Sequence, residues 1–293
     1  MADKKKGIYY RHWFQAAWFA LTNGYAVGFL EKKIYRGKSK LLCVPGLNCY
    51  SCPGALGSCP IGSLQAVLDS GKFGFSCYIF GFLLLFGSFF GRFVCGWLCP
   101  FGLFQDLLYK IPLGKKKKNM PGHKYLTYLR YVILVLFVIL LPMAVTGITG
   151  VGEPWFCKYI CPSGTLMGGI PLVVLNPVLR SAIGWLFTWK AFLLIITILL
   201  SVKYYRPFCK YICPLGAVYG LFNPIALYRF QVDADKCISC GACKRSCGMD
   251  ISVWQKPNSP DCIRCGDCRK ACPTGAITST SDRLKDRFKD GKC

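Results

Sequence analysis

The sequence predicts an α-helical integral membrane protein with a small α+β domain near its C-terminal end. Of the 293 residues, 53% are hydrophobic and the mean hydropathy is +0.37, which is too apolar for an ordinary soluble domain of this length. Four apolar stretches approach the ~20 residues that cross a bilayer. The 20 cysteines recur at regular spacings. These features predict a membrane domain over residues 1–230, a cysteine-rich domain over 231–276 and a charged tail over 277–293.

Four transmembrane helices are expected, at about residues 13–30, 73–94, 125–147 and 183–202. Their alternation with repeated cysteine motifs predicts two tandem helical hairpins. Arg92, Arg130 and Lys190 fall toward the ends of these stretches, where long side chains reach the interface, so we expect them not to be buried. Segments such as 169–179 are too short to span and should form interfacial or re-entrant helices.

Basic residues orient the expected helices. The positive-inside rule places both termini and the cysteine-rich domain on the cytoplasmic side of the inner membrane. The residues that support this are Lys4 to Lys6, Arg11, Lys115 to Lys118, Lys203, Arg206 and Lys210. The first loop disagrees, because its five basic residues would lie outside: Lys32, Lys33, Arg36, Lys38 and Lys40. The opening Met-Ala-Asp-Lys-Lys-Lys shows no feature of a secretory signal.

The strongest motif lies near the C-terminus. Two runs have the spacing Cys-x2-Cys-x2-Cys-x3-Cys of a bacterial two-cluster ferredoxin, in which the fourth cysteine of each run serves the other cluster. Cluster one would take Cys237, Cys240, Cys243 and Cys272, and cluster two would take Cys262, Cys265, Cys268 and Cys247. Structural zinc is disfavoured because it would not explain both runs. Gly248 stands where this motif usually has proline.

Three apolar stretches run into Cys-x3-Cys-Pro, at the pairs Cys95/Cys99, Cys157/Cys161 and Cys209/Cys213. Residues i and i+4 share a helix face, so each pair offers two sulfurs to one centre, and the proline suits the start of the next helix. A divergent fourth copy of the following Cys-Pro-x-Gly ends the first loop at Cys59. Because copies two and four would end on the inner face, Cys95, Cys99, Cys209 and Cys213 are expected to hold one [4Fe-4S] cluster.

The outer face would carry six thiols, four of which are expected to hold a further [4Fe-4S] cluster: Cys43, Cys49, Cys52, Cys59, Cys157 and Cys161. Repeat symmetry nominates Cys157 and Cys161 with two of Cys49, Cys52 and Cys59. The four first-loop cysteines would also suffice to close a cluster alone, and a surplus pair would be free to form a disulfide. Cys77 is expected to be a small buried hydrophobe. The total is about four clusters and roughly sixteen iron atoms.

Charge and composition restrict the other functions. A net charge of +24 favours an anionic membrane surface over nucleic acid, so membrane lipid is an expected partner and nucleic acid is not. Lys158, Lys210 and Lys244 would offset the negative charge of nearby clusters, although most lysines should be solvated. His12 and His123 do not form an axial pair, so no haem is expected, and both should be interfacial. With no acid/base pair or phosphate loop, an electron-transfer subunit is favoured over a stand-alone enzyme.

From about Phe73 to Ala276 the chain resembles the NapH-type membrane ferredoxins of periplasmic nitrate reduction and the membrane part of the NosR type from nitrous oxide reduction. Cys95/Cys99 and Cys209/Cys213 match the usual pair of that family. The resemblance implies an electron carrier that oxidises quinol or serves an extracytoplasmic redox partner. Cys157/Cys161 and the first-loop cysteines are extra, and they resemble a subgroup found with extracytoplasmic flavin-binding proteins.

Three functions fit the sequence. The favoured one is a conduit of electrons across the membrane, from a soluble cytosolic ferredoxin or flavodoxin to an extracytoplasmic flavin-binding or other redox protein. Relay stations at both faces of the ~30 Å hydrocarbon core would shorten the longest hop. From Asp233 onward, 12 Lys and Arg stand against 8 Asp, which suits an acidic donor. The alternatives are a menaquinol dehydrogenase subunit that feeds a reductase, with a bound quinone, and a redox-sensing or metal-assembly membrane protein.

Overall fold

The computed structural model describes residues 2–70, 73–149 and 153–283. Most of these residues are helical. The α-helices are α1 (Ala2–Thr22), α2 (Val27–Leu30), α3 (Pro60–Ser70), α4 (Phe73–Phe90), α5 (Phe93–Trp97), α6 (Pro100–Lys110), α7 (His123–Ile133), α8 (Leu141–Thr149), α9 (Pro162–Gly164), α10 (Ile170–Leu175), α11 (Pro177–Ser181), α12 (Trp185–Lys203), α13 (Pro207–Tyr211), α14 (Pro214–Phe222), α15 (Ala242–Ser246) and α16 (Asp267–Ala271). A 3₁₀ turn covers Lys38–Leu41, and π-helical segments cover Leu134–Leu140, Phe156–Ile160 and Thr165–Gly169.

Two helices among the described residues are long and apolar enough to cross a membrane, where four were expected. They are His123–Val145, which joins α7 to α8 through a π-helical segment, and Trp185–Lys203. The apolar helices Cys77–Phe90 and Pro162–Leu175 are shorter. The π-helical widening lies just before Pro142, whose ring and missing N–H disturb the regular α-helical pattern.

The first expected span is interrupted. Helix α1 ends at Thr22, short of the expected Leu30, and a separate turn follows over Val27–Leu30. The peptide N–H and side-chain amide of Asn23 both donate to the carbonyl of Phe19, and Gly24 comes next. An Asn-Gly pair favours the end of a helix, and hydropathy alone does not register this signal.

The second expected span also ends early. Helix α4 stops at Phe90, and Gly91 takes a left-handed conformation with a φ of 52° before α5 begins. The chain therefore turns at Arg92, and the expectation that Arg92 and Arg130 lie at the membrane interface is wrong. Both are fully buried, and both guanidinium groups pair with the carboxylate of Asp261, at 3.4 and 2.6 Å. A buried charge needs such a partner, and this one comes from the C-terminal domain.

The C-terminal domain has the small α+β form that its cysteine spacing predicts. Strands β1 (Phe230–Val232) and β2 (Ile277–Ser279) pair antiparallel, with Phe230 opposite Ser279. Between them lie α15 and α16, each of which begins after a glycine with positive φ, Gly241 and Gly266. Each five-residue helix buries one cysteine, Cys243 or Cys268, and ends at the next cysteine of its run.

Candidate iron–sulfur centres

The ligands expected for cluster one surround a single cavity. Cys237, Cys240, Cys243 and Cys272 all line it, together with apolar side chains such as Trp254. Cys240 is exposed, Cys237 and Cys272 are half-buried and Cys243 is buried. This thiol set is therefore the one nearest to the solvent.

The ligands expected for cluster two form a second, more buried group. Cys247, Cys262 and Cys268 are buried and Cys265 is half-buried. Burial, with repulsion from a thiolate at Cys247 added, raises the pKa of Cys262 to about 11. The same two causes raise the pKa of Cys265 and of Cys268. The thiols of Cys262, Cys265 and Cys268 therefore each lie within electrostatic reach of Cys247.

The second group is fixed against the membrane domain by buried polar contacts. The side-chain amide of Asn223 donates to the carbonyls of Ser259 and Cys262, at 2.9 and 2.7 Å. The guanidinium of Arg264 donates to the carbonyls of Phe90 and Asn223, at 2.8 and 2.6 Å. Arg92 joins both halves, since it donates to the carbonyls of Pro260 and Cys209. The C-terminal domain is thus joined to the rest of the chain by buried hydrogen bonds, and Arg92 links the segment before Cys262 to the backbone of Cys209.

A third group consists of the four cysteines predicted for the inner membrane cluster. Cys95, Cys99, Cys209 and Cys213 are all buried. Burial raises the pKa of Cys209 to about 12, and the nearby thiols of Cys99 and Cys95 raise it further. Burial and the charges of Cys209, Cys95 and Cys99 likewise raise the pKa of Cys213. The thiols of Cys209 and Cys213 therefore lie within electrostatic reach of Cys95 and Cys99.

A buried ion-pair network supports this site. The carboxylate of Asp106 accepts from Arg206 at 2.6 and 2.5 Å and from Arg11 at 3.0 Å. A further nitrogen of Arg206 donates to the carbonyl of Cys95 at 2.6 Å. Because Arg206 is fully buried with its charge paired, it fixes the backbone of the Cys95 turn and adds positive potential beside the thiols.

The outer thiols resolve into a group of four and two others. Cys49, Cys59, Cys157 and Cys161 line one cavity of about 850 Å³, which neither Cys43 nor Cys52 lines. Burial raises the pKa of Cys157, and repulsion from the other three thiols raises it further. The structure therefore brings Cys157 and Cys161 together with Cys49 and Cys59, which is one of the sets that repeat symmetry allows.

The two remaining first-loop cysteines have other neighbours. The thiol of Cys43 interacts with the hydroxyls of Ser63 and Ser58. Cys52 interacts with the peptide N–H groups of Gly54 and Ala55. Cys52 also lies within electrostatic reach of Cys49, although it does not line the cavity that Cys49 and Cys59 share. No disulfide joins cysteines in the part of the chain that the structure describes.

The Cys-Pro-x-Gly sequence explains how four of these thiols are held. In each copy the cysteine precedes a helix that starts at the proline, and in the last copy the N–H of Gly216 donates to Cys213 Sγ at 3.4 Å. The glycine N–H at the same position of the other copies also favours the thiolate, at Cys59, Cys99 and Cys161. Free amides and the positive end of the helix dipole face the sulfur, and both suit an anionic ligand.

The inner and outer thiol sets lie closer together than expected. A side-chain Cβ at Gly46 would lie 3.2 Å from the Cα of Cys99, so the first loop packs directly on the inner set. Three residues later the same loop supplies Cys49 to the outer set, which limits the distance between the Cα atoms of Cys99 and Cys49 to about 16 Å. The expectation of thiol sets at opposite membrane faces, a ~30 Å core apart, therefore does not hold for these two sets.

Tyr219 is buried between the two sets. Its hydroxyl donates to the carbonyl of Pro45 at 3.1 Å, and its side chain is fully buried. Burial raises the pKa of Tyr219, and charges at Cys95 and Cys99 of the inner set and at Cys59 of the outer set add to the rise. One aromatic ring is thus within electrostatic reach of both sites.

The donor groups fit four-iron clusters better than single ions. Within the described residues no three His, Cys, Asp or Glu side chains converge on a point that one metal ion could occupy. Thiolates around one ion share a single centre, whereas those of a cubane bind four different irons and stand farther apart. Four cysteines per site, with peptide N–H groups and paired cations near several of them, suit the wider arrangement.

Several other expectations need correction. Lys210 is not solvated: it is fully buried, it donates to the carbonyl of Lys118 and the side chain of Asn119, and burial lowers its pKa to about 8. His12 is buried beside Gln15 rather than interfacial. Cys77 is exposed, because it lies on the outward face of α4. Lys190 is half-buried and donates to the carbonyl of Cys157 at 3.1 Å.

The sequence interpretation missed several residues that shape these sites. Gln65 and Gln105 contact ligand sulfurs, and Tyr219 lies between two thiol sets. A signal for the glutamines is present in the sequence, because both occur six residues after the cysteine of a Cys-Pro-x-Gly copy. Asn223 and Arg206 carry no comparable signal, since their partners are distant in the chain.

Comparison with known sequence families defines the class of protein. Residues 73–121, 134–173 and 185–230 match a 4Fe-4S binding domain profile, and residues 257–278 match a second 4Fe-4S binding domain. The three membrane-domain segments include all three Cys-x3-Cys-Pro pairs. The chain therefore contains 4Fe-4S binding domains in both its N-terminal and its C-terminal part.

Individual relatives agree with this class. The chain is 29% identical over 174 residues to an uncharacterized protein of Methanocaldococcus jannaschii, which covers 57% of this chain and 62% of that protein. It is 27% identical to the methylamine utilization ferredoxin-type protein MauN of Paracoccus denitrificans, over 57% of this chain and 50% of MauN. Over 65 residues, 22% of this chain and 18% of the relative, it is 32% identical to the putative electron transport protein YccM of Escherichia coli. The chain thus spans half to three fifths of the first two relatives. No solved structure matches it.

Proposed function

We propose that this protein carries electrons through the membrane from a cytosolic ferredoxin or flavodoxin to an extracytoplasmic flavin-binding protein. One observation carries the proposal: the segments that carry the four thiol sets pack on one another in turn, through α15 and α16, through Gly96 against Ile263, and through Gly46 against Cys99. Each four-iron cluster supplies a centre that takes up and gives back one electron. A series of such centres in one body is what long-range electron transfer requires.

The C-terminal domain is the proposed receiving end. Its first thiol set is near the surface, and the domain from Asp233 onward has an excess of basic over acidic residues. Exposed Lys244 and Lys236 stand beside Cys243 and Cys237 in the sequence. A basic rim around a reducible centre would steer an acidic soluble donor into contact, with a rate that falls as salt rises.

The middle of the path crosses the docked interface and then the membrane domain. A Cβ at Gly96 would lie 2.3 Å from the carbonyl oxygen of Ile263, so the Cys95 turn and the loop of cluster two touch at backbone level. Tyr219 and the Gly46 contact then link the inner set to the outer set. These contacts leave no long gap between successive sets.

The height of the thiol sets supports passage through a bilayer. Lys190 contacts the Cys157 turn, whereas Arg206, just beyond Lys203 at the end of α12, contacts the Cys95 turn. The two sets therefore contact different ends of α12, while the first loop keeps the Cα atoms of Cys49 and Cys99 within about 16 Å of each other. We therefore retain four apolar segments in the membrane, the two shorter ones completing the bundle, with both termini cytoplasmic.

The cavity beside the outer set is the proposed site of electron exit. Its wall includes four cysteines, the basic side chains Lys40 and Lys190, and apolar residues such as Leu41 and Leu172. Its volume of about 850 Å³ would admit an aromatic redox ring in addition to a cluster. The extra cysteines and this cavity favour the subgroup of the NapH and NosR type that is found with flavin-binding partners.

The same cavity also favours a second candidate, a menaquinol dehydrogenase subunit. An apolar pocket of this size beside a thiol set would suit a quinone ring, and electrons would then flow toward the C-terminal domain. The two candidates differ in the direction of flow and in the molecule that occupies the cavity.

Reconstitution distinguishes these functions. The anaerobically purified protein is placed in liposomes that contain trapped FMN, and reduced ferredoxin is added outside. Two electrons per FMN should cross the membrane, and two protons from the water inside the liposome complete FMNH₂. Cys157→Ser should abolish the reduction, whereas Cys52→Ser, a cysteine of the same region outside the four-thiol group, should preserve it. Iron near eight atoms per chain, or reduction unaffected by Cys157→Ser, would refute the conduit. Oxidation of a menaquinol analogue in the same liposomes, without FMN reduction, would favour the second candidate.

A further inference from the structure

Two glutamines of the membrane domain occupy equivalent positions. Gln65 lies six residues after Cys59, and Gln105 lies six residues after Cys99, so each falls in the second turn of the helix that a Cys-Pro-x-Gly copy begins. Both side chains are fully buried. A buried primary amide needs partners for its hydrogen-bonding groups, and the partners here are informative.

The two glutamines make the same three contacts. The carbonyl oxygen of Gln65 accepts from the N–H of Phe156 at 2.9 Å, and its nitrogen donates to the carbonyl of Ile61 at 3.2 Å and to Cys157 Sγ at 3.4 Å. The carbonyl oxygen of Gln105 accepts from the N–H of Phe208 at 3.2 Å. Its nitrogen donates to the carbonyl of Phe101 at 3.4 Å and to Cys209 Sγ at 3.0 Å.

These partners fix the orientation of each amide. A peptide N–H can only donate and a carbonyl can only accept, so the glutamine nitrogen must face the helix carbonyl and the sulfur. Phe156 and Phe208 directly precede the cysteines concerned, so one side chain holds both the backbone and the sulfur of the facing turn. The contact joins the first copy to the third and the second copy to the fourth.

Each membrane thiol set receives one such amide. At the equivalent position the third and fourth copies have Met167 and Tyr219, neither of which donates to a ligand sulfur; the tyrosine hydroxyl bonds Pro45 instead. Among the residues at this position, only Gln65 donates to a sulfur of the outer set and only Gln105 donates to a sulfur of the inner set. This one-to-one relation makes the two glutamines separable by mutation.

We propose that Gln65 and Gln105 are matched positioning residues that raise the reduction potentials of the outer and inner membrane clusters, respectively. A donor aimed at a ligand sulfur stabilises the extra negative charge of the reduced cluster, and burial strengthens the interaction. The proposal rests on the proposed function, because it requires clusters at both thiol sets.

Redox titration followed by EPR tests the proposal. Gln105→Met keeps the length and burial of the side chain but removes the donor, and it should lower the reduced-to-oxidised ratio of the inner cluster about tenfold at fixed potential, which is 59 mV for one electron. The outer cluster should not change. Gln65→Met should do the reverse. Gln15→Met, at a buried glutamine of α1 that contacts His12, should shift neither cluster.

A second measurement uses the unaltered protein. With glutamine labelled at the side-chain ¹⁵N, electron spin echo spectra of the reduced clusters should show coupling to an amide nitrogen. The glutamine proposal would be overturned by unchanged potentials in both variants, by equal shifts of both clusters, or by absence of the ¹⁵N coupling. If the protein still contains about sixteen irons per chain, such a result leaves the proposed electron conduit intact. About eight irons in the wild-type protein would instead overturn both.

Discussion

Individual residues decide which thiols belong to the outer site. From the sequence alone, Cys43, Cys49, Cys52 and Cys59 are equivalent candidates, because spacing gives distance along the chain and not direction in space. In the structure Cys49 and Cys59 line the cavity with Cys157 and Cys161, whereas Cys43 is near Ser58 and Ser63. For the ferredoxin-type runs, spacing alone is enough to assign the cysteines to clusters, because one compact loop geometry sets that spacing.

This division predicts a sorting of cysteine variants. Cys49→Ser and Cys59→Ser should each lose about four of roughly sixteen iron atoms, because a four-iron cluster needs all of its thiolates. Cys43→Ser and Cys52→Ser should keep the full complement. Iron and acid-labile sulfide per chain, measured after anaerobic purification, provide the check. Loss of iron from the Cys43 and Cys52 variants with retention in Cys157→Ser would mean that the first loop closes a cluster alone.

Buried and exposed ion pairs should differ in their effect on stability. Asp106→Asn leaves the fully buried Arg206 without its charge partner and should destabilise the fold by about 3–5 kcal/mol. Glu153→Gln breaks the partly exposed pair with Lys158 and should cost less than about 1 kcal/mol. Thermal unfolding in detergent, with clusters intact, measures both. Equal losses of stability would contradict the structural role of the Asp106 network.

At the scale of elements, hydropathy predicted where helices occur but not where they break. The stretches 125–147 and 183–202 correspond closely to His123–Val145 and Trp185–Lys203. The other two stretches contain Asn23-Gly24 and Gly91, where the backbone turns while the side chains around it stay apolar. Arg92 could not be predicted as buried, because its partner Asp261 lies 169 residues away in the chain.

The contact between α5 and the C-terminal domain gives a prediction at this scale. Gly96→Ala would place a methyl group against the backbone oxygen of Ile263, 2.3 Å away, so the two elements must separate. We expect weaker magnetic coupling between the inner cluster and cluster two, and faster proteolysis near residue 230.

The matched control is Gly81→Ala in α4, where nothing lies within 4 Å of the added methyl. This variant should keep both the coupling and the protease resistance of the wild type. Identical behaviour of the two variants would show that the docked interface tolerates displacement, and it would weaken the proposed path from cluster two to Cys209.

At the scale of the whole molecule, the four thiol sets form a series inside one packed body. Spacing and the repeat are enough to propose the members of three sets from the sequence. It could not predict their order in space, because the order depends on the first loop, whose Gly46 packs on Cys99 while Cys49 joins the outer set. Packing of this loop brings the inner and outer thiol sets close enough to each other for direct electron transfer between them.

If the clusters act in a linear series, removing one cluster should prevent the reduction of every cluster that follows it. Cys209→Ser should remove the inner cluster, leaving about twelve irons, and mixing with reduced ferredoxin should then reduce clusters one and two but not the outer cluster. Cys157→Ser, which also leaves about twelve irons, should still permit reduction of the other three. Rapid-freeze EPR resolves the clusters by their signals and their order of appearance. Reduction of the outer cluster at the wild-type rate in Cys209→Ser would mean that electrons reach it by another route, and the contacts through Arg92, Gly96 and Tyr219 would then serve only to hold the fold together.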